Sequence, residues 1–95
     1  YYSIAQNEYI DALHQAGMAD NEIGSHAALA DTSLEMATAP QMVREGKLAD
    51  KASASPAQGV YGGNPARSSA ALGQKGVDLI VAGTVTAIQK FLGDN

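Results

Sequence analysis

The chain contains no cysteine. That excludes a disulfide framework and any thiolate metal site, and it fits a reducing, cytoplasmic setting. Basic residues are also scarce: six Lys and Arg stand against ten Asp and Glu, for a formal net charge of −4, and the cations do not cluster. A phosphate-backbone partner needs a basic stripe, so nucleic acid is excluded as an expected partner. Long hydrophobic runs are missing as well. The most apolar stretch, Val77 to Ile88, is interrupted by Asp78, Gly83, Thr84 and Thr86. It falls short of the roughly 20 apolar residues that cross a bilayer, so no membrane role is expected. The first residues, Tyr1-Tyr2-Ser3-Ile4, carry no basic region, no apolar signal core and no initiator Met. A start of this kind reads as processing, truncation or cleavage.

What is present suits a folded domain. Hydrophobic residues make up 45% and charged residues 17%, too apolar for disorder. At 95 residues the chain is one small domain or one piece of a larger core. A chain of this length buries only about 60–70% of the surface it exposes when unfolded. No internal repeat is evident.

Periodicity predicts a first helix from Ser3 to Ala16, with Ile4, Tyr9, Ile10, Leu13 and Ala16 at helical spacing, Ser3 as its cap and Gly17 as its stop. Met18 to Ser25 reads as a loop or a short extended piece. A second helix is expected over Thr32–Thr38, because Thr32-Ser33-Leu34-Glu35 has the capping-box pattern and Pro40 disfavours helix at Ala39. Pro40 to Val43 reads as a further short turn. Gly46 to Gly63, punctuated by glycine, serine and proline, reads as a long surface excursion. Asn64-Pro65 opens the clearest helix, running to Leu92 with Leu72, Gly76, Ile80, Gly83, Ala87 and Phe91 along one stripe. Gly73, Gly76 and Gly83 each cost a helix about 1 kcal/mol relative to Ala, which points to a close neighbour.

Chemistry concentrates in Gly24-Ser25-His26-Ala27-Ala28-Leu29-Ala30-Asp31-Thr32-Ser33. A histidine in a small-residue loop precedes, by five positions, an acid at a helix start, where free N–H groups favour a carboxylate. Read on residues alone, His26 is as well explained by a structural or solvated histidine, and Asp31 by an N-cap. One histidine and one acid do not make a metal site. His14 reads as a surface histidine, with only Asp11 nearby at ligand spacing, and Glu35 as a capping or surface acid. Gly59-Val60-Tyr61-Gly62-Gly63 lacks the Lys-Ser/Thr of a phosphate loop and reads as a turn, with Tyr61 either lining a pocket or covering the core. Arg67, in the first turn of the last helix against the dipole preference, suggests a carboxylate or anion contact.

The order of these segments resembles the C-terminal part of the creatininase (creatinine amidohydrolase) family. His26-Ala27-Ala28-Leu29-Ala30-Asp31-Thr32-Ser33 matches the family's His-Ala-Gly-x-x-Glu-Thr-Ser, and Pro40-Gln41-Met42-Val43 follows where the family has Pro-x-Leu-Val. Gly63-Asn64-Pro65 then leads into a Ser/Ala-rich helix in which Gly73 or Gly76 corresponds to the family glycine. Asp31 and Ala28 depart from the family's Glu and Gly; Ala28 is expected to crowd the loop. The Asp or Trp common just before the histidine is replaced by Glu22, Ile23 and Gly24.

The resemblance implies an α/β layered fold, of which this chain would supply the C-terminal helices and a few short extended segments. It implies a metal-dependent hydrolase acting on a cyclic amide C–N bond. His26 and Asp31 would be catalytic, and Asp31 a metal ligand at the site's edge; Tyr61, on the pocket-lining reading of its own segment, would bind substrate. The cofactor would be a divalent ion, zinc or manganese. The family's Glu-x-His pair, following Asp and Gly-His-Gly-Gly-Asn-type loop do not occur here. Residues 1–95 therefore read as the C-terminal portion of a single domain, with most metal ligands in an N-terminal segment or second chain, and with homo-oligomerisation expected. The alternative is a non-catalytic subunit or interaction module that keeps the family scaffold.

Overall fold

The computed structural model describes residues 3–45, 60–63 and 65–93, apart from the side chains of His26 and of residues 61–63. The expected excursion from Gly46 lies mostly outside the described residues, as does Asn64. The elements are α1 (Tyr9–Gln15), entered through a π-helical turn at Ile4–Glu8, α2 (Asp20–Ile23), β1 (Gly24–His26), α3 (Leu29–Thr38), β2 (Tyr61–Gly63) and α4 (Ala70–Gly93). Short 3-10 turns occupy Pro40–Met42 and Pro65–Arg67. The described chain is thus mostly helical, with β1 and β2 forming a two-stranded antiparallel pair in which His26 sits opposite Tyr61.

The first helix follows its periodicity but not its expected cap. Ser3 is itself helical and makes no side-chain capping bond. The stop is as expected. Gly17 has φ 93°, its N–H bonds to the His14 carbonyl, and the Met18 N–H bonds to that of Leu13. This reciprocal pair closes the orphan carbonyls of the last turn, and glycine alone tolerates that φ without strain. The Met18–Ser25 segment contains a helical turn as well as the short strand. Its first turn is tied by the Ala19 N–H donating to Glu22 Oε1 at 3.2 Å.

Helix α3 begins at Leu29, earlier than the capping-box pattern predicts. Thr32 does not cap; its hydroxyl donates instead to the Ala27 carbonyl at 3.3 Å. The helix ends at Thr38 as expected, because Ala39 before Pro40 takes an extended φ of −147°.

The expected helix from Pro65 is broken at Ser68–Ser69. The Ser69 hydroxyl accepts the Leu72 N–H at 3.1 Å and is the working N-cap of α4. Meanwhile the Ser69 N–H donates to Ser33 Oγ at 3.2 Å, and the Ser68 hydroxyl donates to the Leu29 carbonyl at 3.4 Å. These bonds tie the joint to α3 rather than to a continuous helix.

The core is small: Tyr9, Leu13, Ile23, Leu29 and Ala30 are buried, with Ile10, Met18, Leu34, Leu72 and Leu79 packed against them. Only the first half of α4 joins it. Gly73 and Gly76 are buried there, whereas Val81, Val85, Ile88, Phe91 and Leu92 face solvent. By length and composition the 24 residues of α4 are long and apolar enough to cross a membrane. Val77–Ile88 alone is too short for this. Extending the count through the glycines and alanines of the whole helix supplies the length.

Candidate active site

Three short pieces converge on the segment singled out in the sequence. β1 delivers His26, α3 starts immediately after it, and the β2 backbone at Tyr61 pairs with His26. Between them lies a tight turn. Ala27 has φ 54°, in the left-handed region that costs a residue with a Cβ about 1–2 kcal/mol. Ala28 takes φ −93° and is buried. The left-handed residue of the turn is Ala27, not Ala28.

Asp31 holds that turn. It lies in the first turn of α3, and its Oδ2 accepts the Ala27 N–H at 2.9 Å. A carboxylate here is favoured twice, by this charge-assisted bond and by the exposed N–H groups of the helix start. Asp31 is thus tied to the backbone of the residue following His26. The imidazole of His26 and the ring of Tyr61 lie outside the described residues, so their expected roles rest on backbone placement.

A cleft of about 390 Å³ opens beside this turn, lined among others by Gln6, Tyr9, Asp20, Ser25, Ala28 and Asp31. Gln6 and Tyr9 enter from the first helix, Asp20 from α2 and Ser25 from β1. None of these four is marked individually as a candidate by the sequence. The sequence marks Tyr9 only as an apolar position of the first helix, and nothing in one sequence says that its hydroxyl reaches the helix that follows the histidine.

Tyr9 is 1% exposed and donates its phenolic O–H to the Ala30 carbonyl at 2.8 Å. Burial first, and the nearby Asp31 charge second, push the phenol well above its ordinary range, with Ser33 opposing slightly. The group is therefore a neutral hydrogen-bond donor, not a base.

Arg67 and His14 each pair with a carboxylate. Arg67 Nη1 meets Glu22 Oε2 at 2.6 Å, which is the carboxylate contact its position suggested. His14 is exposed, as expected, but its partner is Asp20, Nε2 to Oδ1 at 2.5 Å, rather than Asp11. The Gly17 turn brings Asp20 back to α1.

The family follows from the whole chain. The model of the family described as creatininase (creatinine amidohydrolase) matches residues 2–88. The chain belongs to the creatininase family. No curated protein and no solved structure matches it. Creatininase-family members are hydrolases and generally use a divalent metal. Among the described residues, however, no group of three or more His, Asp or Glu side chains could hold one. Asp31, the ligand expected at the site's edge, already accepts the Ala27 N–H. These residues do not by themselves fit a metal, and no step through one is derived from them.

Proposed function

We propose that this chain is the C-terminal portion of a creatininase-like amidohydrolase and contributes His26 to hydrolysis of a cyclic amide C–N bond. The observation that carries the reading is the His26–Asp31 segment inside a family match over residues 2–88: the motif acid is bonded to the backbone next to the motif histidine. In such a reaction water adds to the carbonyl carbon, the C–N bond breaks, and the released nitrogen takes up a proton. His26 suits this transfer, because an imidazole both accepts and donates a proton near neutral pH. Asp31 acts by fixing the turn that presents it. Tyr61, opposite His26 on β2, is assigned to substrate contact.

The rest of the reading extends beyond these residues. The complete domain would be the layered α/β fold. An N-terminal segment or second chain would supply most ligands for a zinc or manganese ion, and the enzyme would be a cytoplasmic homo-oligomer without a nucleic-acid or membrane partner. The solvent-facing apolar residues of α4 support the need for a further packing partner. Turnover of cyclic and linear amides by the complete protein, with and without His26→Ala, tests the reading. Full retention of rate in the variant would overturn the role of His26. Loss of any amidase activity in the parent would favour a non-catalytic module.

A further inference from the structure

We infer that Tyr9 is a positioning residue for the histidine segment: its phenol holds the first turn of α3, and through it Asp31 and the left-handed Ala27 that follow His26. The inference rests on the proposed role of His26 for its catalytic consequence, but not for its structural content. The ring fills a core position that phenylalanine would fill equally well, so the hydroxyl requires its own explanation. That hydroxyl crosses from α1 to the carbonyl of Ala30, the residue directly before Asp31. Ala30 already belongs to α3, so the bond fixes the phase of the helix start rather than completing a helix. Asp31 then reaches back to the Ala27 N–H.

The opposite flank of the same turn is held from the head of α4. The Ser68 hydroxyl bonds to the Leu29 carbonyl, and Ser33 Oγ accepts the Ser69 N–H. The start of α3 is therefore clamped between α1 and the head of α4. Of the two flanks, Tyr9 is the one that also lines the cleft. A strained turn persists only where its surroundings over-determine it, and the Ala27 conformation is of that kind. Loss of one clamp should loosen the turn locally before it unfolds the domain.

Tyr9→Phe in the complete protein tests this. Amide exchange at Ala27 should accelerate about 5–10-fold, the equivalent of one lost hydrogen bond, while amides in the last turn of α3 keep their protection. Turnover of an amide that the parent hydrolyses should fall by a similar factor, about 5–10-fold, with KM nearly unchanged. Unaltered Ala27 exchange in a folded variant overturns the inference, as does acceleration spread evenly over α1 and α3, which marks a purely structural role. Should Tyr9→Phe fail to fold, a fluorinated tyrosine placed at position 9 keeps the ring and makes a stronger donor. It should slow Ala27 exchange, and no change would overturn the inference. An inactive parent removes the amidase reading but leaves the exchange result decisive for Tyr9.

Discussion

Gly73 of α4 lies directly on the backbone of Ser33 in α3, so that a Cβ at position 73 would overlap the Ser33 carbonyl. The contact is with backbone, which cannot swing aside. Gly76 differs: a Cβ there would meet the side chains of Leu34 and Tyr9 at 2.8 Å. At Gly83 it would meet only the flexible Ile4 side chain. Gly73 is therefore the glycine that sets the α3–α4 distance, and with it the Ser33–Ser69 bond that fixes the head of α4.

Gly73→Ala should accordingly destabilise the protein by about 1–3 kcal/mol through overpacking. Gly83→Ala should cost far less, because improved helix propensity offsets the displacement of Ile4. Thermal melts of the two variants check this ordering. Equal melting temperatures would remove Gly73 from its assigned role.

Ala27→Gly should stabilise the fold. The left-handed φ costs alanine about 1–2 kcal/mol, against about 0.5–1 kcal/mol of added unfolded-state entropy for glycine. A net gain near 0.5 kcal/mol is expected in denaturant titration. A loss of stability would show that the alanine methyl makes a compensating contact.

His26→Ala should lower amide turnover by about 10²–10⁴-fold, the range for a general acid–base group, without changing the melt. Asp31→Asn weakens the bond to the Ala27 N–H, and turnover should fall with it. Asp31→Glu should retain more activity, since the longer acid is the family's usual residue. Steady-state kinetics on the complete protein, together with circular dichroism, separate these effects.

Tyr9 gives the protein an alkaline limit. Its folded pKa is raised, so above the ordinary tyrosine value near 10 the unfolded chain releases a proton that the folded protein retains. The native state then binds more protons than the unfolded state, and stability falls as pH rises through and beyond that value. Tyr9→Phe should flatten this decline. Denaturant midpoints measured from pH 8 upward show whether it does.

Arg67→Ala should cost no more than about 1 kcal/mol, because the guanidinium is half exposed and the pair is open to screening. The loss should shrink in high salt. A salt-independent loss would mean that Arg67 contributes through packing.

Much of the local structure is written in single residues. Gly17 ends α1 and Pro40 ends α3 because their backbone restrictions act within one turn of chain, whatever surrounds them. The His26–Asp31 segment is legible in the same way, as a motif with fixed spacing in the right order along the chain, and the family match bears out the resemblance. Other features depended on partners far away in sequence. Ser69 displaced Asn64-Pro65 as the start of α4 because Ser33 and Leu29, more than thirty positions earlier, compete for the joint's hydrogen bonds. Gly73 took the close approach that any of the helix glycines offered, since only packing decides which one faces a backbone. Tyr9 became a donor to Ala30 because the fold brings it within reach of the start of α3. Periodicity determines that a face is buried. Only the tertiary structure decides what that face meets, because hydrogen bonds and close contacts belong to pairs of residues and a single sequence specifies just one member at a time.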